Sequence, residues 1–230
     1  MQDISFEFRV ECAKRIPIFS GLSREAINYL ATVIRIVTHA RGEFIYLPGD
    51  TCETVYFVQN GKIKLTMISE DGAEAALQIV SRGGMFGEID AILAQPRSTS
   101  ARVLEDAELC EMTRVDFQAM LDRYPQLASN ILRRVAIRLR QIENRLVSLM
   151  GKDVGARVKE TLVDLTKTQA KDSLKAPIIV SITQQDLADL IGASRQETAK
   201  ALKKLKDDNT IELKYRSIVV KSTDKLRGEP

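Results

Sequence analysis

The sequence predicts an α+β protein in which a β-sandwich or barrel, a long helix and a helix-turn-helix module follow one another. Residues 36–115 contain short apolar or alternating segments separated by glycine-containing turns, a rhythm typical of antiparallel β architectures. Residues 127–149 carry apolar side chains at helical spacing. Residues 181–221 contain two capped helix patterns joined at a glycine, and a β-hairpin pattern follows them.

The composition is that of an ordinary globular chain. The 230 residues are 44% hydrophobic and 28% charged, which is typical of soluble proteins. We find no apolar run near the roughly 18 residues that cross a bilayer. The N-terminus lacks the basic start and apolar core of a signal peptide. We therefore expect a cytoplasmic protein with no membrane partner.

Few residues are candidates for metal binding or catalysis. Cys12, Cys52 and Cys110 lie far apart and are odd in number, which argues against a disulfide framework or an iron–sulfur cluster. The single histidine, His39, cannot build a zinc site alone and offers little general-base chemistry. A haem-ligand role for His39 is the alternative to a solvated strand-edge histidine. We expect structural cysteines, no metal site and no enzymatic activity.

Helices are predicted on both sides of the strand region. Residues 3–35 have a helical pattern, in which Ser23 follows a turn and caps the second helix. Within the strand region, Asn60-Gly61 and Asp71-Gly72 suit two-residue hairpin turns with positive φ. A short helix over 114–121 is expected after the last strand.

The segment FGEIDAILAQPRST, residues 86–99, interrupts the strand rhythm and is predicted to be an insertion between two strands. It holds a glycine, two carboxylates and an arginine in an otherwise apolar region. One interpretation is a socket for an anion, since unsatisfied backbone amides and a guanidinium attract negative charge. The alternative is a turn whose arginine neutralises the neighbouring acids.

The long helix carries an apolar stripe that suits a dimer seam. A helix of this length outreaches a small barrel, although the stripe could also pack on the chain's own barrel. Residues 152–155 are predicted to be a hinge before a second domain, and 167–177 a polar loop. The stripe consists of Leu127, Ile131, Val135, Leu139, Ile142, Leu146 and Leu149.

The segment 181–221 predicts a winged helix-turn-helix. Thr183 caps a helix that ends at Gly192, and Ser194 caps a second helix. The following residues alternate around a turn near Tyr215-Arg216, which suggests a two-strand wing. The second helix presents basic and amide side chains outward, and such groups pair with base edges and phosphates. The alternative is an ordinary helical hairpin with a solvated basic face.

Charge is unevenly distributed along the chain. Residues 1–151 contain 18 basic and 19 acidic residues, whereas 152–230 contain 16 and 12. A basic excess in the smaller part fits a nucleic-acid partner.

With these motifs together, the chain resembles the cyclic-AMP receptor protein/FNR superfamily of bacterial transcription regulators. LIGASRQETAKALKKL is close to the recognition-helix pattern of that family, and GDTCETVYFVQNGKIKL resembles its early β-roll hairpin. Residues 86–99 resemble the phosphate cassette of cyclic-nucleotide-binding domains. The resemblance implies a β-roll of the jelly-roll type with flanking helices over 1–124, a long dimerisation helix and hinge over 125–151, and a winged helix-turn-helix domain over 152–230.

The resemblance also implies a ligand site in the β-roll, with a cyclic nucleotide as the candidate effector. The backbone of Gly87 would face a phosphate, Arg97 would pair with it, Ser98 would add a hydroxyl, and Glu88 would accept from a ribose hydroxyl. The implied ligand-binding residues are Gly87, Glu88, Ile89, Arg97, Ser98, Thr99, Ile142 and Glu143.

The chain departs from the family pattern at several positions. Asp90 stands where cyclic-AMP binders usually have a small residue, and Thr99 stands where they have alanine. Ile142 lacks the hydroxyl that would hold adenine, although Glu143 could accept from an exocyclic amine. Gln196 follows the recognition arginine where a glutamate is common.

The resemblance implies a homodimeric, sequence-specific transcription regulator that contacts RNA polymerase and binds half-sites about 34 Å apart in a near-palindrome. One alternative is a constitutive regulator without a nucleotide, in which Arg97 bonds Glu88 and Asp90. Another is a cyclic-nucleotide-binding regulatory subunit that docks a protein. The implied DNA-binding residues are Thr183, Ser194, Arg195, Gln196, Lys200 and Lys203.

Overall fold

The computed structural model of the chain describes residues 5–68, 74–169 and 177–227. The chain divides into two compact units, Met1–Leu139 and Arg140–Pro230. The first unit combines helices with a six-stranded sheet and the second combines helices with a three-stranded sheet, which confirms the predicted α+β class. Two predicted features lie outside the described residues. They are the turn at Asp71-Gly72 and residues 170–176 of the predicted loop.

Two helices and a 3₁₀ turn open the first unit. Helix α1 spans Phe6–Arg15, a 3₁₀ turn spans Pro17–Phe19, and helix α2 spans Arg24–Val33. The Ser23 hydroxyl accepts a hydrogen bond from the Ala26 amide at 3.2 Å, so it caps α2 as predicted.

The strands of the first unit form an antiparallel sheet. Its order is β1-β6-β3-β4, with β2 also paired to β6 and β5 also paired to β3. The two longest strands, β3 and β6, are central neighbours and pair along most of their length. The strands are β1 Arg35–His39, β2 Phe44–Tyr46, β3 Thr54–Ile68, β4 Glu74–Ser81, β5 Met85–Phe86 and β6 Ser100–Thr113.

The hairpin turn predicted at Asn60-Gly61 is wrong. Strand β3 continues through both residues, and its register against β6 shifts between Val58 and Asn60 and again between Asn60 and Lys62. Gly61 does have the predicted positive φ, of 88°. The dipeptide therefore forms a bulge that bends one long strand, because a bulge and a hairpin turn both need this backbone conformation.

Short helices flank the last strand of this sheet. Helix α3, Glu88–Leu93, lies between β5 and β6, where the insertion is predicted. Helix α4 spans Arg114–Arg123. One apolar cluster packs the helices on the sheet and includes Phe19, Leu30, Phe57, Phe117 and Leu127. A second cluster fills the interior of the β-roll and includes Tyr46, Val58, Ile63, Phe86 and Leu109.

Helix α5 runs from Pro125 to Gly151, and the structure divides its apolar stripe. Leu127 and Ile131 are buried in the helix–sheet cluster, so the interpretation that the stripe packs on its own barrel holds for these two. The next four members are exposed in the single chain: Val135, Leu139, Ile142 and Leu146. The side chain of Leu149 lies outside what the structure describes.

The second unit is a small helical domain with a three-stranded antiparallel sheet of order β7-β9-β8. Strand β7 pairs with β9, so the predicted two-strand wing has a third strand. The core is made by Val158, Leu162, Leu187, Leu202, Ile211 and Ile218. The elements are α6 Val154–Gln169, β7 Ile178–Val180, α7 Gln184–Ile191, α8 Arg195–Asp207, β8 Ile211–Lys214, β9 Ser217–Val220 and α9 Thr223–Arg227.

Of the predicted hinge over 152–155, only Lys152 and Asp153 lie between α5 and α6, because Val154 and Gly155 begin α6. Asp153 caps α6, because its carboxylate accepts from the Ala156 amide at 2.7 Å. Glu160 of α6 accepts from the Lys152 ammonium at 2.9 Å and from the Ser148 hydroxyl at 2.9 Å. These bonds tie the first turns of α6 to the end of α5.

Candidate ligand socket and nucleic-acid interface

Gly87 allows the arginine of the insertion to approach the backbone. It precedes α3 with φ of 79°, in the left-handed region, which glycine adopts without steric cost. A Cβ at this position would lie 2.5 Å from Nη1 of Arg97. A larger residue would therefore both strain the backbone and displace the guanidinium.

The guanidinium of Arg97 is buried and bonds only neutral groups among the described residues. Its Nη1 atom donates to the Gly87 carbonyl at 3.0 Å, and Nη2 donates to the Thr54 carbonyl. The side chain lies over the Tyr46 ring, 4.2 Å from its centroid. The Nε atom is buried without a partner in the described part of the chain. The bonds from Arg97 to Glu88 and Asp90 that the sequence suggests for a constitutive regulator are therefore absent among the described residues.

Glu88 is 3% exposed and faces the long helix. Its Oε1 atom accepts from Nη1 of Arg138 at 3.4 Å, while Oε2 is buried with no partner among the described residues. Burial raises the pKa of Glu88, and the charges of Arg138 and Arg134 act in the opposite direction. Burial lowers the pKa of Arg134. Two arginines four residues apart on one face of α5 thus supply positive charge to the socket.

Asp90 accepts a hydrogen bond from the Ser98 hydroxyl, which the family resemblance assigns to a ligand. The Ser98 Oγ atom donates to Oδ1 of Asp90 at 2.7 Å, and Asp90 is only 5% exposed. Thr99 is buried as well, and burial raises the pKa of the nearby Tyr46 phenol to about 12. The charges of Arg97, Asp90 and Glu88 all act on that phenol, so these groups share one small region.

The structure brings most of the predicted ligand residues together. Gly87, Glu88, Arg97, Ser98 and Thr99 lie together in this region, which we call the socket, whereas Ile89 lies on α3 and is 39% exposed. Ile142 and Glu143 belong to the second unit and are exposed there. Their roles as ligand contacts stay a prediction.

Sequence reasoning missed several residues of the socket. Tyr46 lies under Arg97, the Thr54 carbonyl accepts from it, and Arg138 bonds Glu88. The i, i+4 spacing of Arg134 and Arg138 places them on one helix face. Nothing local to the sequence says that this face meets the insertion.

The cysteines and the histidine do not form a second candidate site among the described residues. Cys12 and Cys110 are buried free thiols, and Cys52 donates to the Gly87 carbonyl at 3.8 Å. Nδ1 of His39 lies 3.2 Å from Glu43. The described residues contain no group of three or more metal-ligating side chains. Within the described ranges, no helix has the length and apolarity needed to cross a membrane.

The helix-turn-helix has the predicted caps. The Thr183 hydroxyl accepts from the Asp186 amide at 3.0 Å, and Gly192 ends α7 with φ of 61°. Ser194 and Glu197 form a reciprocal capping box at the start of α8, which the sequence pattern only partly indicated. The hydrogen bonds with Ser194 lower the pKa of Glu197. Nη1 of Arg157 donates to the Ile191 carbonyl, a contact that sequence reasoning missed.

Helix α8 presents a cationic face. Its inward residues are buried, including Thr198, Leu202 and Leu205. A groove of about 390 Å³ between the two helices and the wing is lined by Thr183, Arg195, Lys214 and Arg216, among others. The predicted DNA-binding residues of the turn and of α8 are all exposed: Ser194, Arg195, Gln196, Lys200 and Lys203.

Two family models match the two parts of the chain. A cyclic nucleotide-binding domain matches residues 36–124, and a Crp-like helix-turn-helix domain matches residues 156–229. The "CRP-like cAMP-activated global transcriptional regulator" of Mycobacterium tuberculosis is 30% identical over 219 residues, which cover 94% of this chain and 97% of that protein. The "Cyclic AMP receptor protein" of Thermus thermophilus is 29% identical over 200 residues, 87% of this chain and 90% of that protein.

A solved structure of similar fold supports the architecture. The c-di-GMP responsive global regulator CLP of Xanthomonas campestris superposes with a TM-score of 0.73 and 24% identity. The match covers 87% of this chain and all of that one. This likeness concerns the fold alone.

Proposed function

The chain belongs to the CRP/FNR family of DNA-binding transcription regulators, and from this premise we propose that it is a homodimer whose DNA binding is gated by a small anion in the β-roll socket. A cyclic nucleotide is the first candidate for that anion. The observation that carries the proposal is the buried Arg97 guanidinium, which bonds backbone carbonyls and leaves Nε without a partner among the described residues.

An anion would complete the hydrogen bonding of this socket. A buried charge that is not hydrogen-bonded to a counter-charge is costly, and a planar guanidinium suits the oxygens of a phosphate. Glu88 has one buried oxygen without a partner in the described part of the chain, and such an oxygen can accept from a sugar hydroxyl. The match to cyclic nucleotide-binding domains and the names of the relatives support this ligand class.

The long helix supports the dimer. Its 27 residues give a length of about 40 Å. Exposed apolar side chains recur along it at spacings of three and four, at Val135, Leu139, Ile142 and Leu146. A second copy of α5 would remove this stripe from water by coiled-coil packing.

Each protomer would then place α8 in a major groove of the same duplex. The exposed cations of α8 supply phosphate contacts and base contacts, and two-fold symmetry calls for a near-palindromic site. RNA polymerase is the expected protein partner, and the cytoplasm is the expected location of such a regulator.

Gating requires that the ligand bind the DNA-competent arrangement more tightly than the other one. The Glu88–Arg138 hydrogen bond joins the socket to α5. A ligand that hydrogen-bonds the Glu88 carboxylate would weaken this bond. Ligand binding would thereby change the contacts of α5, the helix that forms the proposed dimer seam.

The experiment is a gel shift of the full-length protein with DNA, with and without cyclic AMP and cyclic GMP, using the chain and Arg97→Ala. We expect one nucleotide to raise DNA affinity and Arg97→Ala to eliminate that response. Arg24→Ala removes an exposed arginine and is the matched control. An unchanged response in Arg97→Ala would contradict the anion socket.

A constitutive regulator is the second candidate. The observation that favours it is the Ser98–Asp90 hydrogen bond, because the chain itself satisfies a group that a ligand would use. DNA affinity that no nucleotide changes, together with thermal stability that no nucleotide raises, would favour this candidate.

A further inference from the structure

We propose that Asp90 is an internal competitor of the ligand: its carboxylate occupies the Ser98 side of the socket and lowers the affinity for phosphate-bearing nucleotides. The inference rests on the anion socket of the proposed function and adds the residue that sets its affinity and charge selectivity.

The position of Asp90 lets its carboxylate bind the Ser98 hydroxyl. Asp90 lies in the second half-turn of α3 and is 5% exposed. Its Oδ1 atom accepts from Ser98 Oγ at 2.7 Å, a short hydrogen bond of the kind that hydroxyls form with carboxylates. The ligand's phosphate would have to take this hydroxyl from Asp90 or leave it unused.

Arg97 does not neutralise this carboxylate directly. Both of its hydrogen-bonded nitrogens are committed to the Gly87 and Thr54 carbonyls. Cation and carboxylate therefore lie in one small buried region without a hydrogen bond between them: the charges of both act on Tyr46 and on Cys52. An anion placed against Arg97 is attracted by the guanidinium and repelled by Asp90 at the same time.

The net charge of the socket determines what it can accept. Arg97, Arg134 and Arg138 are positive, while Glu88 and Asp90 are carboxylates. The Asp90 charge cancels part of the attraction that these arginines provide. Because Coulomb energy scales with the product of the charges, Asp90 repels a dianionic phosphate monoester more strongly than a singly charged cyclic phosphodiester.

Two substitutions separate charge from shape. Asp90→Asn keeps the size of the side chain and an oxygen that can accept from Ser98, and it removes the charge. Asp90→Ala removes both. If the charge of Asp90 lowers the affinity, the asparagine variant already binds nucleotide more tightly. If the bulk of the side chain lowers it, only the alanine variant binds more tightly.

The test is isothermal titration calorimetry of the full-length protein with cyclic AMP and with 5′-AMP at pH 8, where 5′-AMP is dianionic. We expect Asp90→Asn to lower the Kd of cyclic AMP at least tenfold and the Kd of 5′-AMP by a larger factor. Asp122→Asn removes an exposed carboxylate from α4 of the same unit and should leave both Kd values unchanged. Circular dichroism and thermal melting establish that the variants are folded.

The outcomes distinguish this inference from the proposed function. If the chain binds cyclic AMP in an Arg97-dependent way and Asp90→Asn binds it equally well, competition by Asp90 is refuted, whereas anion binding at Arg97 is supported. A gain in Asp90→Ala alone, or a smaller gain for 5′-AMP than for cyclic AMP, overturns the charge mechanism. If no variant binds either nucleotide, the competitor is overturned and gating by cyclic AMP fails with it, whereas gating by cyclic GMP and DNA binding are judged separately by gel shift.

Discussion

The backbone of Gly61 lies directly against the carbonyl oxygen of Asp106: a Cβ on Gly61 would come within 2.5 Å of that oxygen and 2.6 Å of the Ala107 Cα. The register of β3 against β6 shifts on both sides of Asn60. This close approach lets the two longest strands bend together while they continue to pair, and the bend helps to close the β-roll around its apolar interior.

Gly61→Ala is therefore expected to destabilise the β-roll. A methyl group would meet backbone atoms that cannot move independently, and the positive φ adds roughly 1–2 kcal/mol of strain. We expect a total loss of about 3 kcal/mol or more in the free energy of unfolding, measured by urea denaturation. Gly49→Ala is the matched control, because Gly49 has φ of 90° with nothing within 4 Å of the added Cβ. Equal losses of unfolding free energy in the two variants would show that the backbone strain destabilises the fold and that the contact of the methyl group with β6 does not.

The Asn60-Gly61 pair shows which structural features the sequence predicts and which it does not. The local pattern correctly predicts a positive φ, because that property depends on the residue itself. It does not distinguish a hairpin from a bulge, since that depends on whether the segments on each side pair with each other or with a third strand. The order of elements, the caps at Ser23 and Ser194 and the turn at Gly192 are local features, and the structure has all of them.

The socket was predictable to a similar extent. The sequence puts Gly87 and Arg97 in one short insertion, the family resemblance assigns both to one ligand, and the structure places them in contact. Apart from the Gly87 carbonyl, the partners of Arg97 and Glu88 come from β2, β3 and α5. These contacts are set by tertiary packing, and a single sequence gives no local signal for them.

Glu88 should make stability depend on pH. Burial raises its folded-state pKa above the ordinary carboxyl value, so the native state holds the proton more tightly than the unfolded state does. The contribution of Glu88 to stability is then greatest at low pH and decreases as pH rises from the ordinary value through the raised one. Urea denaturation across this range should show a shallower decrease for Glu88→Gln than for the chain. Identical pH profiles would contradict the raised pKa.

The three thiols should react slowly in the folded protein. Burial raises the pKa of Cys12 and Cys52, and it raises that of Cys110 to about 12. Since the thiolate is the reactive form, labelling by a disulfide reagent at pH 8 should be at least 100-fold slower in buffer than in urea. Rapid labelling of one native thiol, located by mass spectrometry, would identify a cysteine that is not simply structural.

The exposed stripe of α5 predicts that dimerisation is sensitive to charge at its centre. Leu139 is 55% exposed in the single chain, and Leu139→Glu would put a carboxylate in the proposed seam. We expect sedimentation velocity to show a monomer, or at least a 100-fold weaker dimer. Gln141→Glu adds the same charge at an exposed position outside the stripe and should stay dimeric. If Leu139→Glu leaves the association unchanged, the seam lies elsewhere.

Arg195 and Lys203 should affect DNA binding in different ways. Arg195 begins α8 and lines the groove beside the wing, a position suited to base edges, whereas Lys203 lies two turns further along and is exposed. Arg195→Ala should reduce the preference for the specific site by about 1–3 kcal/mol. Lys203→Ala should weaken all sequences alike and reduce the slope of log K against log salt by about one phosphate contact. Gel shifts with specific and scrambled duplexes over a salt series measure both quantities, and equal losses on every sequence from both variants would contradict base reading by Arg195.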